Sequence, residues 1–349
     1  MAGEHRIGPV AERHRLDEVA LERYLAERLA GFEGPLTLKQ FEGGQSNPTY
    51  LVSGASGDWV LRKQPPGRLR PSAHAVDREC RIMAALADTR VPVPRVDLYC
   101  SDASIVGTPF YVMQFLAGRV YADPLLPGMV PEERAAVYDA MNQVLADLHE
   151  VDWEAIGLAD YGKTRDYLAR QLAQWTRAYE AAKTRDRPAM ERLSTWLAAN
   201  MPAGEAVAIA HGDYRLQNLV LHEREPRVIA VLDWELSTLG SPIADLAFTC
   251  MTYHLPTNDS IARGFVGTDI AALGIPSEED YLAAYCRRTN RDAISDWRFY
   301  LVFSLFRTAA IMQGVHARAL QGNASSVEGE RFGELCEIAS GAAWRLVEG

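Results

Sequence analysis

The chain has 349 residues, 48% of them hydrophobic, and 46 acidic against 36 basic side chains give a formal net charge of −10. Such a length and apolar content allow a sizeable core and suggest two domains or lobes. The acidic balance argues against general nucleic-acid binding, and the lack of any run of about 18 apolar residues argues against a membrane-spanning helix.

Met1 to Arg15 is charged and has no apolar h-region, so no secretory signal is expected. Leu16 to Ala30 has helical periodicity, with Leu16, Val19, Ala20, Leu25 and Leu29 apolar, and Gly31 stops it. Leu36–Phe41 and Tyr50–Val52 read as strands. Between them Glu42-Gly43-Gly44-Gln45-Ser46-Asn47-Pro48 forms a loop in which a glycine pair lets backbone amides approach a phosphate. Gly44, Ser46 and Asn47 are its candidate nucleotide contacts, although the loop is neither a P-loop nor the kinase G-x-G-x-x-G. Asp58 to Gln64 is a third strand, ended by Pro65-Pro66-Gly67. Its adjacent cations Arg62 and Lys63 must face opposite ways. Arg62 shares a face with Val60 and is the preferred phosphate ligand. Pro71 to Ala87 reads as a helix carrying Glu79, the candidate partner of that cation. Val91-Pro92-Val93-Pro94 is extended, and Arg95–Cys100 and Pro109–Phe115 complete a five-stranded lobe over residues 1–115. Leu116-Ala117-Gly118 then breaks the pattern, and the backbone of Gln114, Phe115 and Leu116 is placed to meet a purine edge.

Residues 116–349 are mainly helical, with segments at Pro131–Glu150, Tyr167–Ala182, Pro188–Ala199, Pro242–Tyr253, Glu278–Arg288, Ala293–Gln313 and Val327–Val347. His149, at a helix end, reads as a packed or capping residue. Asp245 stands in an otherwise apolar stretch and needs partners, which makes it a candidate to hold a neighbouring loop through backbone N–H groups. Phe299, Phe303, Phe306 and Met312 read as core. The scattered Cys80, Cys100, Cys250, Cys286 and Cys336 form no C-x-x-C pair, so neither zinc nor disulfides are indicated and a reducing, cytoplasmic setting is expected.

Within that helical half one stretch breaks the pattern. Leu219-Val220-Leu221-His222 and Val228-Ile229-Ala230-Val231-Leu232 flank a polar turn and read as a β-hairpin. Asp213 and Asn218 precede it at the spacing of the kinase catalytic loop, H-R-D-x-x-x-x-N, and Asp233 follows its second strand. Folding back brings Asn218 and Asp233 side by side, two hard oxygen donors of the kind Mg²⁺ accepts alongside substrate phosphates.

His211-Gly212-Asp213-Tyr214-Arg215-Leu216-Gln217-Asn218 with Leu232-Asp233-Trp234-Glu235 resembles the aminoglycoside phosphotransferase/choline kinase group. Val60–Gly67, Pro71–Glu79 and Gly107–Met113 resemble more narrowly the kinase-like domains fused to some acyl-CoA dehydrogenases. The resemblance spans about residues 35 to 320. It implies an α+β, two-lobed protein-kinase-like fold and transfer of the ATP γ-phosphoryl group to a hydroxyl of a small molecule. Asp213 is then the catalytic base, Asn218 and Asp233 are the Mg²⁺ ligands, and Arg62 with Glu79 holds the phosphates. Arg215 is a candidate to offset charge on the transferring group. Two departures from the protein-kinase pattern stand out: Arg62 replaces the usual strand lysine, and no glycine follows Asp233, so no activation segment is expected.

The fused domains are associated with hydroxyacyl-CoA acceptors, which makes a hydroxylated acyl thioester one candidate. An aminoglycoside or amino alcohol is another, served by carboxylates among Asp259, Asp269, Glu278, Glu279 and Asp280. A non-catalytic nucleotide-binding module is the competing class. No membrane or nucleic-acid partner is expected, and a homodimer is left open.

Overall fold

The computed structural model describes residues 7–41, 47–67, 75–204, 206–257, 263–320 and 331–349. Its first elements are β1 (Ile7–Gly8), α1 (Glu18–Arg28), β2 (Thr37–Phe41), β3 (Thr49–Gly54), β4 (Gly57–Lys63) and α2 (Val76–Leu86). Strand β5 (Val96–Cys100), the short helix α3 (Ala103–Val106) and β6 (Phe110–Gln114) follow. Helices α4 (Pro131–His149), α5 (Tyr167–Ala182) and α6 (Pro188–Ala199) lead to β7 (Ala208–Ala210), β8 (Leu219–Leu221), β9 (Val228–Val231) and β10 (Thr238–Gly240). The chain ends with α7 (Pro242–Cys250), α8 (Glu278–Arg288), α9 (Trp297–Leu320) and α10 (Arg331–Glu348).

By contacts the chain forms two compact units, one of residues 1–122, 154–158 and 216–237, the other of 123–153, 159–215 and 238–349. The sequence division at residue 115 keeps the hairpin with the helical half. By its contacts, the hairpin segment 216–237 groups with the strand-rich unit.

That first unit is built on an antiparallel sheet in the order β1-β2-β3-β4-β6-β5, one strand more than the sequence led us to expect. The extra strand, β1, pairs only Ile7 and Gly8 with Phe41 and Gln40. Alternation assigns the faces. Tyr50, Val52, Leu61, Phe110 and Val112 join Leu21 and Leu25 of α1, Leu29 just after it, and Val106 of α3 in one core. The opposite face carries Arg62 and Tyr111, neighbours across β4 and β6, and α2 packs on β5 and β6. Asp17 caps α1 by accepting the Ala20 N–H at 3.0 Å. Among the described residues helix α2 begins at Val76, and residues 71–74 of the expected helix lie outside them.

The β8–β9 hairpin pairs Leu219 with Val231 and carries a register shift before Leu221. Backbone hydrogen bonds help bind it to its own unit. Arg119 and Leu221 exchange backbone hydrogen bonds at 2.8 Å, and Val231 N–H donates to the Pro92 carbonyl at 2.8 Å. The approach is so close that a Cβ on Gly118 would lie 2.5 Å from the Leu221 carbonyl oxygen, which explains a glycine there.

In the second unit, α9 packs on α5, α7 and α10, and α4 packs on α8. Phe299, Phe303 and Phe306 are buried on α9, whereas Met312 is only half-buried. Helix α9 starts at Trp297 and runs past the expected end at Gln313 to Leu320, with Gly314 inside it. The pair β7–β10, three residues each, carries no periodic signal of its own and went unread. All five cysteines are free thiols. Among the described residues no helix is long and apolar enough to cross a membrane.

Candidate active site

The first unit gathers its charged side chains around Arg62. Its Nε lies 2.9 Å from Glu79 Oε2, its Nη2 lies 2.6 Å from Asp233 Oδ1, and Glu235 Oε2 is 3.7 Å away. Glu79 is 1% exposed. Its two oxygens accept from Asn47 Nδ2 at 2.8 Å and from the Tyr111 hydroxyl at 2.9 Å. Burial pushes the Glu79 carboxyl up, and Arg62 pulls it back. Burial also opposes the charge on Arg62, but Glu79 leads the carboxylates and Tyr111 in raising its pKa. A guanidinium suits this place because its rigid fork can engage two acids at once.

Lys63 takes the other face of β4. It is 7% exposed, and its Nζ donates to the Val106 carbonyl on the α1 side of the sheet. Burial lowers its pKa. Of the two adjacent cations, Arg62 is the one that meets the carboxylates.

Just past β9, Asp233 has a left-handed conformation, φ +65° and ψ +60°, which aspartate tolerates better than most residues. The following turn, Trp234–Leu236, packs on α2. Trp234 is buried and donates from Nε1 to the Val231 carbonyl at 3.0 Å. Arg78 of α2 reaches the Ser237 carbonyl at 3.4 Å. Asn218 is buried at the hairpin's near end, and its carbonyl accepts the Leu232 N–H at 2.8 Å. Asn218 and Asp233 thus share one end of the hairpin. A neutral amide oxygen and a carboxylate are a donor set that fits Mg²⁺, which keeps several waters or phosphate oxygens for itself.

In the second unit the loop after β7 is pinned from several sides. Buried Asp245 accepts the His211 N–H at 2.7 Å through Oδ2 and the Gly212 N–H at 2.8 Å through Oδ1. His149 Nε2 stands 3.3 Å from Oδ2, and its Nδ1 is 2.7 Å from the Tyr285 hydroxyl. The tautomer that satisfies both contacts carries its proton on Nε2. Burial alone would raise the Asp245 carboxyl, yet His149, His211 and the Gly212 amide hold it below its ordinary value. His211 Nδ1 accepts the Asp213 N–H at 3.2 Å. Tyr214, fully buried, donates to the Met141 carbonyl at 2.9 Å, and its own carbonyl accepts from Thr249 at 2.8 Å. Asp213 keeps 17% side-chain exposure and pairs with Arg215 Nε at 3.2 Å.

Other expected contacts fared differently. Gly44 and Ser46 lie outside the described residues, as does Asp259. Gln114 N–H donates to the Arg95 carbonyl at 2.9 Å, so that donor is already engaged, while Phe115 and Leu116 are half-buried on the connector after β6. The carboxylates near α8 serve local structure. Glu278 bonds His254 at 3.0 Å and Trp297 Nε1 at 3.1 Å, Asp280 bonds Ser277 at the helix N-cap, and Asp269 accepts the Ala272 N–H. Sequence reasoning missed Tyr111 and Glu235 as members of the Arg62 cluster. Tyr111 had a signal, since alternation along β6 sets it opposite Phe110.

A model of the phosphotransferase enzyme family APH matches residues 37–294. Mouse acyl-CoA dehydrogenase family member 10 is 49% identical over 337 residues, which is 96% of this chain but 32% of that protein. The chain spans less than half the length of the curated relatives it matches. A crystal structure from Ralstonia eutropha JMP134, assigned by name to the aminoglycoside phosphotransferases, is 45% identical, with TM-score 0.84 over 95% of this chain and 99% of that one. A thermostable mutant of the aminoglycoside phosphotransferase APH(4)-Ia, solved with ADP and hygromycin B, shares the fold at 15% identity, with TM-score 0.62 over 94% and 98% of the two chains.

Proposed function

The chain belongs to the APH phosphotransferase enzyme family, and on that basis we propose that it transfers the γ-phosphoryl group of ATP, with Mg²⁺, to a hydroxyl of a small molecule. The observation that carries this reading is the loop at Asp213, whose backbone is pinned on both sides while the carboxylate keeps access to solvent. Phosphoryl transfer asks the protein for positioning and charge neutralisation more than for covalent chemistry. Asp213 orients the acceptor hydroxyl and takes its proton as the O–P bond forms and ADP leaves. Arg62, braced by Glu79, binds phosphate oxygens. Asn218 and Asp233 would hold Mg²⁺, which supplies charge neutralisation at the phosphates. Arg215 stands beside Asp213 as a second cation for the transferring group.

The curated relatives are named for acyl-CoA dehydrogenase, so a hydroxylated acyl-CoA is the first acceptor to try. Aminoglycosides and amino alcohols rank lower, because Glu278, Asp280 and Asp269 are occupied in caps and local bonds. A non-catalytic nucleotide-binding module is the second reading, favoured by the short Arg62–Asp233 contact that already engages an expected metal ligand. The test is ADP release from MgATP across hydroxyacyl-CoAs, aminoglycosides, choline-like alcohols and sugars. In Asp213→Ala, turnover with the active acceptor should fall by at least about 1,000-fold with ATP affinity retained. A wild-type chain that binds ATP yet turns over nothing would move weight to the binding module.

A further inference from the structure

Helix α9 is an apolar helix with one buried cation in its middle. Arg307 is 8% exposed, within a run from Phe299 to Ala310 that is buried throughout. Its guanidinium lies 5.1 Å from the ring centre of Phe248 and 5.5 Å from that of Trp175. No carboxylate pairs with it among the described residues, and its Nε has no hydrogen-bond partner. A lone buried cation is costly even with aromatic faces to soften the loss of water, and packing alone would be better served by methionine or leucine. One strong contact remains: Nη2 donates to the Gly212 carbonyl at 2.6 Å.

That carbonyl belongs to the peptide group joining Gly212 to Asp213. Its other polar end, the Asp213 N–H, is held by His211 Nδ1. Gly212 has φ +83°, a left-handed conformation open to glycine, which brings the freest backbone of any residue. Asp245 fixes the two N–H groups on the upstream side, but neither of those contacts sets the rotation of the 212–213 peptide plane, from which the Asp213 side chain springs. Arg307 and His211 set it together. We infer that Arg307 is a positioning residue of the catalytic loop, clamping the Gly212 carbonyl so that Asp213 is presented in one orientation. The inference rests on the reading of Asp213 as the base and adds a residue outside the motif to it.

Two variants test it. Arg307→Met keeps the length and the contact with Trp175 and Phe248 but removes the donor and the charge. Arg307→Lys keeps both in a different geometry. ADP release from MgATP is followed without acceptor and with the best acceptor of the panel, alongside melting temperature and hydrogen exchange of residues 208–220. In Arg307→Met, kcat should fall about 100-fold, the scale of a misplaced catalytic group, while the KM for ATP and the melting point stay near wild type. Exchange at the amides of His211, Gly212 and Asp213 should quicken by about tenfold with the rest of α9 unchanged. Arg307→Lys should recover kcat to within about tenfold of wild type. Wild-type kcat and exchange in the Met variant would overturn the inference. So would global loosening of α9 in both variants, which is what a scaffold residue gives. If the wild type itself turns over nothing, the base assignment fails, and the exchange measurement still decides whether Arg307 orders the loop.

Discussion

The Arg62 cluster and the Asp245 cradle both bury charge, and they use it in opposite ways. Around Arg62 one cation meets three carboxylates: Glu79 on α2, and Asp233 and Glu235 in the turn after β9, all in one unit. Side-chain charges meet side-chain charges, and Asp233 remains about a third exposed. A polyanion carrying its own cations can compete for such partners, since it offers Arg62 new oxygens and Asp233 a new charge. Around Asp245, by contrast, a carboxylate that is 3% exposed is satisfied by two backbone N–H groups and a histidine. Nothing in that arrangement is exchangeable. On the proposed function a ligand rearranges the first cluster, whereas the second holds its loop in place.

The largest effect therefore belongs to the cradle. Asp245→Ala leaves the His211 and Gly212 amides without an acceptor in a buried site and should destabilise the protein by roughly 3–5 kcal/mol, read by denaturant unfolding. The pH dependence follows from the depressed folded value of this carboxyl. Its stabilisation is present above the unfolded aspartate value of about 3.9 and is lost as pH falls through the lower folded value. Wild type should show this acid-limb loss and Asp245→Asn should lack it. An unchanged acid limb in Asp245→Asn would mean that the loop is held by its other contacts alone. Glu79→Gln should act on ligand binding more than on folding. It keeps shape and part of the bonding to Asn47 and Tyr111 but takes away the charge that braces Arg62. ATP affinity measured by calorimetry should fall about tenfold, the equivalent of about 1.4 kcal/mol. Affinity unchanged within error would show that Arg62 needs no brace and would break the contrast between the two clusters.

Much of this is legible in the sequence. Asp245 could be read because one acid in an apolar helix has few reasons to exist, and the Asp213–Asn218–Asp233 spacing carries its own geometry once the hairpin is recognised. The Arg62/Lys63 choice followed from alternation along β4. What stayed hidden depends on long-range pairing. Nothing local says that residues 216–237 fold onto Pro92 and Arg119, and strands of two or three residues such as β1, β7 and β10 hold no period to detect. Arg307 was hidden by its own helix: in an apolar run a single arginine reads as an interruption, and its partner, the carbonyl of Gly212, lies 95 positions away.

The smallest expected effect sharpens the comparison most. Arg62 and Lys63 are neighbours in sequence with opposite surroundings, and Lys63→Met tests whether the face, not the charge, decides function. Lys63 points toward the α1 core, where its Nζ donates to the Val106 carbonyl. Met fills a similar volume without burying a charge, so stability near neutral pH should change by less than about 1 kcal/mol. Burial lowers the folded pKa of Lys63, so wild-type stability gains as pH rises toward the unfolded lysine value of about 10.4, and the Met variant should lack that gain. On the proposed function the phosphates are met from the Arg62 face, so ATP affinity should stay within about twofold of wild type. A tenfold loss in Lys63→Met would reverse the assignment, making the buried lysine the phosphate ligand and the Arg62 cluster a structural brace like the cradle it is contrasted with.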